Sequence, residues 1–265
     1  MESERIKELQ EAAVVAARGE ILRIATDRLA SFHVPFLLWK GADFAVSLYP
    51  SPGMRPMSDI DLLIPLEFAG EASSLLVSAG FRRYSPGNGL FTSGIIGETK
   101  FSRGGFLLEL HTHPLYHPAV LPGRIPGVSE LKPGRYPGGY PAPHWPETML
   151  YTLLHHSGSP GLSRWQLNDV GLLCGRMDPS GWERFAFLAA RSGWGSRMAA
   201  VLRSYGEGVP EAVLDVLGNE RYNRDKGKGT GTLQAFLAVR GWRKIAFGAG
   251  IFHRAVTGRK PGREG

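Results

Sequence analysis

The sequence predicts an α+β protein whose first part alternates strands with helices and whose second part is a helical bundle. Three observations lead there. Up to Pro114, short apolar or alternating runs of strand length are interleaved with stretches of helical period. Between Pro114 and Pro146 stand nine prolines and five glycines, too many breakers for regular structure. Beyond that segment come five short helix-compatible stretches with little strand pattern. The expected organisation is a core over 1–114, a Pro/Gly-rich connection over 115–145, a helical bundle over 146–220 and a basic tail with one amphipathic helix over 221–265.

Each element has its own reason. Ile6, Leu9, Ala13, Leu22, Ala25 and Leu29 recur at three- and four-residue spacings, which predicts a helix from Ile6 to Leu29 with Gly19 as its weak point. Phe36 to Trp39 is a continuous apolar run read as a buried strand, ending at Lys40-Gly41, and a short helix follows from Ala42 to Leu48. Pro50, Pro52, Gly53 and Pro56 enforce a loop. Asp59 to Ile64 then alternates polar and apolar residues as a half-buried strand does, before Pro65. Leu66 to Ala79 reads as a helix, and Gly80-Phe81 opens a further extended segment. Thr99–Ser102 and Phe106–Leu110 read as a hairpin about Gly104-Gly105. In the second part, helices are expected over Pro146–His156, Arg164–Cys174, Gly181–Arg191, Ser196–Tyr205 and Pro210–Leu217.

Composition excludes several classes. Of 265 residues, 43% are hydrophobic and 21% charged, so neither wholesale disorder nor a membrane bundle fits. The apolar stretch from Ile245 to Phe252 is far short of a spanning helix. The amino terminus lacks a basic region leading into an apolar one, so a cytoplasmic location is expected. Cys174 is the single cysteine, and its apolar neighbours predict a buried, inert thiol. The net charge of +7 is uneven. From Arg221 onward there are 11 basic and 2 acidic residues, so the basic excess belongs to the tail.

The chemistry concentrates in Lys40-Gly41-Ala42, Met57-Ser58-Asp59-Ile60-Asp61-Leu62 and Leu108-Glu109-Leu110-His111. Side chains at i and i+2 share one face of a strand, so Asp59 and Asp61 point together while Ile60 and Leu62 point into the core. Two adjacent carboxylates repel, and the pairing costs stability unless a cation lies between them. Mg²⁺ prefers such oxygen ligands and completes its shell with water and phosphates. Glu109 would add a third carboxylate if its strand is a neighbour, and three carboxylates suit two metals.

These runs, with Tyr49-Pro50 and Arg55-Pro56 between them, resemble the uncharacterised nucleotidyltransferase family of the polymerase-β-like superfamily. The resemblance extends through His155-His156 and Arg164-Trp165-Gln166-Leu167-Asn168-Asp169-Val170, covering roughly residues 36 to 190. It implies a polymerase-β-like core, a small mixed sheet flanked by helices, that moves a nucleoside monophosphate from a nucleoside triphosphate such as ATP to an acceptor. On that resemblance Asp59, Asp61 and Glu109 are the catalytic, metal-binding carboxylates, holding Mg²⁺, two ions, with Mn²⁺ as the substitute. Gly41 is the turn at the triphosphate. The serine usual after that turn is missing here, so phosphate contact falls to backbone N–H groups, Lys40 and Arg55, with Ser58 and His111 also at the substrate. The implied reaction is an in-line displacement at the α-phosphorus, one metal activating the acceptor hydroxyl and the other neutralising pyrophosphate. Glu109 is then ligand or general base.

Other candidates keep two readings each. His111 and His113 could complete a zinc set with Glu109, or His111 orients a carboxylate and His113 is an ordinary strand-end residue. His155 and His156 diverge by about 100° on a helix, so one of them, His155, could meet substrate, or it is structural. Asp169 binds acceptor or pairs with Arg164. The tail helix from Leu233 to Val256 packs on the bundle or meets an anionic membrane or a protein partner. A non-catalytic scaffold of the same fold using that basic helix, and a metal-dependent phosphohydrolase, are the rival functions.

Overall fold

The computed structural model describes residues 2–84, 97–114, 125–157, 163–205 and 208–219. The expected tail helix lies outside them. The described residues divide into two compact units, the first within Met1–Tyr84, Thr99–Thr112 and Lys132–Pro143, the second formed by the rest of them.

In the first unit, five strands form one sheet: β1 (Leu37–Trp39), β2 (Asp59–Leu63), β3 (Arg82–Tyr84), β4 (Glu98–Arg103) and β5 (Phe106–His111). Their spatial order is β1-β2-β5-β4-β3. β1 runs antiparallel to β2, β2 parallel to β5, and β3 antiparallel to β4, so the sheet is mixed. This is the α+β class the sequence implies. β4 and β5 are joined at Gly104-Gly105, whose φ values of 56° and 82° are the pair of positive angles that a two-residue hairpin turn demands.

Helices α1 (Glu2–Ser31), α2 (Lys40–Ser47) and α3 (Ala69–Ser78) accompany the sheet. Ile21, Leu22, Ala25 and Leu29 of α1 join Ala72, Leu75 and Leu76 of α3 in one core with Ile60, Leu62, Leu108 and Leu110 of the sheet. The expected apolar stripe therefore buries only its second half. Ile6 and Leu9 are exposed. A 30-residue helix is about 45 Å long, whereas five strands span about 24 Å, so the sheet cannot cover all of α1.

Helix α3 ends in a Schellman motif: the Gly80 N–H donates to Val77 O (3.0 Å) and the Phe81 N–H to Leu76 O (3.0 Å), with Gly80 at φ 84°. Phe81 and Leu76 both enter the core, the apolar contact that usually accompanies this cap. The stretch read as a connection also contributes to this unit. Ala142 is in the core, Leu38 N–H donates to Pro141 O (2.7 Å), and Arg135 forks onto the fully buried Asp43 of α2 at 3.2 and 2.6 Å. Arg135 Nε also holds Pro143 O (2.6 Å), so this irregular chain is anchored by polar contacts rather than by a ladder.

The second unit contains α4 (Trp145–Ser157), α5 (Arg164–Cys174), α6 (Pro179–Ser192), α7 (Gly195–Tyr205) and α8 (Glu211–Gly218). The starts of α5 and α6 are written in the sequence. Ser163 and Gln166 form a reciprocal capping box, and Asp178 caps α6 ahead of Pro179 at its first position. Leu150 and Leu154 of α4, Phe185 and Ala189 of α6, Met198 and Leu202 of α7 and Leu217 of α8 are buried. Glu147 accepts from Arg184 Nε (3.1 Å) and Nη2 (3.0 Å), tying α4 to α6. Gly171 lets α5 approach α7, since a Cβ there would lie 1.8 Å from the Tyr205 hydroxyl oxygen. Cys174 is buried, and burial pushes its thiol up to about 11, which makes it unreactive as expected.

Candidate active site

The sheet has two chemically different faces. Ile60, Leu62, Leu108 and Leu110 face the core, so the period-2 alternation sends Asp59, Asp61, Glu109 and His111 to the other side. The register of the parallel pair sets Asp61 beside Glu109 and Ile60 beside Leu108. Glu109 thus stands next to Asp61 on the same face. Asp61 is 3%, Glu109 4% and His111 3% exposed, which makes this a buried cluster of ionisable groups. Asp59, one pleat nearer the start of the strand, is only half-buried.

Cations compensate the burial. His111 Nε2 lies 2.7 Å from Asp61 Oδ1 and 3.5 Å from Glu109 Oε2. Lys40 Nζ donates to Asp61 Oδ1 at 3.3 Å, and Lys100 Nζ pairs with Glu109 Oε1. Burial alone would raise Asp61, but Lys40 and His111 overcome it and hold the carboxyl down at about 2. Glu109 is likewise lowered against its burial by His111 and Lys100. His111 is raised: burial and Lys40 oppose its charge, and the two carboxylates outweigh them. Asp59 goes the other way. Burial first, then the negative charges of Asp61 and Glu109, push it up to about 6 despite a hydrogen bond from Ser58. Of the two aspartates, one is thus held low by cations in contact with it and the other is pushed up by burial and like charge.

The turn ahead of α2 is built on Lys40 and Gly41. Its left-handed residue is Lys40, at φ 44°, and Gly41 lies within the first turn of the helix. Gly41 matters there for space: a Cβ would sit 3.2 Å from the Met57 Cβ. Arg18 of α1 secures the same segment by donating to Met57 O (2.9 Å), and its charge is close enough to Asp59 for the two to interact. Met57 is held from two sides, two residues before Asp59. Arg55 is half-buried on the same loop and donates to Pro56 O, and Ser58 is exposed.

Among the described residues, the group whose potential ligand atoms lie within 4.8 Å of one another is Asp61, Glu109 and His111. Asp59, half-buried, lies outside this group. His113 is half-buried and is not one of the three. In the second unit, His155 is exposed near the end of α4, while its neighbour His156 is buried with Nδ1 3.3 Å from Gln166 Nε2. Asp169 is buried within α5. Arg18 and Lys100 escaped the sequence reading. Lys100 had a readable signal: a two-residue turn at 104–105 puts Arg103 opposite Phe106, and three steps further Lys100 opposite Glu109.

A family model described as uncharacterised nucleotidyltransferase matches residues 5–207. The chain belongs to that family. It is thus a nucleotidyltransferase, the enzyme class the sequence implies, and one continuous match takes in Asp59, Asp61 and Glu109. No curated protein matches it. Among solved structures it is similar to the antibiotic-resistance factor ANT(2'')-Ia in solution, at 15% identity and a TM-score of 0.49, over 72% of this chain and 98% of that one. It is also similar to crystalline ANT(2'')-Ia in complex with adenylyl-2''-tobramycin, at 17% identity and 0.42, over 73% and 99%. An antigenic nucleotidyltransferase-like protein from Paracoccidioides brasiliensis matches at 15% identity and 0.42, over 74% and 92%. No described helix is long and apolar enough to cross a membrane.

Proposed function

We propose that this nucleotidyltransferase moves a nucleoside monophosphate from a nucleoside triphosphate to a hydroxyl of a small molecule, sugar, peptide or protein, with divalent metal at Asp59, Asp61 and Glu109. The observation that carries the reading is the register of β2 and β5, which sets Asp61 beside Glu109, one pleat from Asp59, on the face away from the core. The donor chemistry fits the ion. Carboxylates crowded on one buried face, already needing lysine and histidine partners to stay ionised, are the ligand set that Mg²⁺ or Mn²⁺ takes.

When bound, the metal pair of this reaction class would activate the acceptor oxygen and neutralise the departing pyrophosphate. The chain's own residues do the rest. Lys40 and Arg55 are the cations offered to the phosphates, as positioned cations stabilise the charge of a transferring phosphoryl group. The backbone N–H groups at the start of α2, which begins at Lys40, are the second donor set. Ser58 orients Asp59 by a hydrogen bond. His111 orients Asp61 through its 2.7 Å contact.

The test is pyrophosphate release from each labelled triphosphate with Mg²⁺ or Mn²⁺, with and without cell extract as a source of acceptor. Release should require metal and vanish in Asp61→Ala and Asp59→Ala while circular dichroism is unchanged. Full turnover in both variants would refute the proposal.

A further inference from the structure

The third donor beside Asp61 and Glu109 is an imidazole, and this has a consequence for the ion. His111 follows Glu109 by two residues on β5, shares its face, and is as deeply buried as the two carboxylates. Both of its close contacts to them run through one atom, Nε2, at 2.7 Å from Asp61 Oδ1 and 3.5 Å from Glu109 Oε2. Adjacent ligands of a six-coordinate ion with bonds of about 2.1 Å are about 3 Å apart, and opposite ones about 4.2 Å. The donor atoms lie within 4.8 Å of one another, and the two His111 contacts, at 2.7 and 3.5 Å, bracket the spacing of adjacent ligands. Lys100 holds the other oxygen of Glu109, Oε1, so Oε2 is kept turned toward His111.

We propose that His111 Nε2 is a metal ligand, completing a two-carboxylate, one-imidazole site that takes Mn²⁺ in preference to Mg²⁺. The proposal rests on the metal-dependent reading above and specifies its ion. Mg²⁺ is a hard ion that takes oxygen and dehydrates reluctantly, whereas imidazole is a better ligand for first-row transition ions, of which Mn²⁺ is among those best suited to carboxylates and water. On loading, the Nε2–Asp61 hydrogen bond is exchanged for two bonds to one ion, and any proton on Nε2 leaves to solvent. Asp59, which is half-buried, is left for an ion that arrives with the triphosphate.

The full chain with Mn²⁺ alone provides the test, by electron spin echo envelope modulation. The bound ion should show coupling to a directly ligated ¹⁴N, and uniform ¹⁵N-histidine labelling of the unaltered protein should change that coupling. His111→Gln and His111→Asn should both lose the nitrogen signal and weaken Mn²⁺ binding at least tenfold, with a smaller loss for Mg²⁺ measured by competition. Bound Mn²⁺ without nitrogen coupling, or coupling that survives in both variants, overturns the assignment of His111 and leaves the metal-dependent reading standing. No binding of either ion overturns both.

Discussion

Replacing Arg135 by alanine should be among the most damaging single changes in the first unit. Asp43 is fully buried in α2, and Arg135 engages both of its oxygens, at 3.2 and 2.6 Å, with its own side chain 12% exposed. Ser47 supplies a further bond to Oδ1 at 3.0 Å. Burial raises the Asp43 carboxyl above its usual range, and Arg135 opposes that shift without cancelling it. Arg135→Ala leaves a buried carboxylate with one hydroxyl, a situation that costs about 3–5 kcal/mol. The melting transition of a domain of this size should then fall by roughly 6–20 °C. The sign with pH follows. An acid whose folded pKa lies above its unfolded value of about 3.9 favours the folded state while protonated and loses that contribution as pH rises through the folded pKa. The variant raises the folded value further, so its deficit should be largest near pH 8 and shrink toward pH 5. Urea denaturation at both pH values measures this, and Asp43→Leu with Arg135→Met, which removes both charges, should recover most of the loss. A deficit under about 1 kcal/mol at pH 8, or one that does not change with pH, would show that the clamp does not hold the loop to α2 as described.

Three other expectations follow from single sites. A Cβ at Gly19 meets nothing within 4 Å, so Gly19→Ala should stabilise by about 0.5–1 kcal/mol in urea, and a loss would mean α1 is not continuous there. Gly171→Ala should cost about 1–3 kcal/mol, because the new Cβ would lie 2.1 Å from the Tyr205 Cζ; combining it with Tyr205→Ala should be less than additive, and strict additivity would remove the contact as the cause. In metal-free protein the Asp59 carboxyl carbon should titrate near pH 6 by ¹³C NMR and move lower in Asp61→Asn, since one of the like charges that raise it is gone. Being raised, Asp59 stabilises the fold below about pH 4 and loses that contribution as pH passes 6. Titration below pH 5 in the unaltered protein would contradict the placement of Asp59 beside Asp61 and Glu109.

What was legible in the sequence is what local chemistry encodes. Ser163 with Gln166, Asp178 before Pro179 and the Gly104-Gly105 turn fix element ends through bonds between residues three or four apart, so the helices and the hairpin fall close to where periodicity puts them. The extent of burial was not legible. Ile6 and Leu9 have the spacing of a core stripe, yet they are exposed because burial depends on how far the partner surface reaches. The polar anchors were equally hidden: Arg135 lies 92 residues from Asp43, and nothing in a proline-rich stretch marks which arginine will meet a buried acid. The backbone at Lys40-Gly41 was hidden too: Gly41 serves the close approach to Met57, while Lys40 takes the positive φ.

That choice bears on the site. A non-glycine residue in the left-handed region costs roughly 1–2 kcal/mol, so Lys40 must be held there by its surroundings. Its ammonium is 3.3 Å from Asp61 Oδ1, with the backbone leading directly from β1 into α2. The strained residue is thus the one whose charge keeps Asp61 ionised. Around the cluster, three carboxylates (Asp59, Asp61 and Glu109) face Lys40, Lys100 and His111, and the asymmetry among them comes from distance rather than from residue type. Asp61 and Glu109 have cations in direct contact and are held down, while Asp59, for which burial and the other two carboxylates outweigh Ser58 and Lys40, is pushed up. Two aspartates two residues apart on one strand would be equivalent by sequence. Their neighbours on α2 and β5 make them different acids, and only the assembled unit brings those neighbours in.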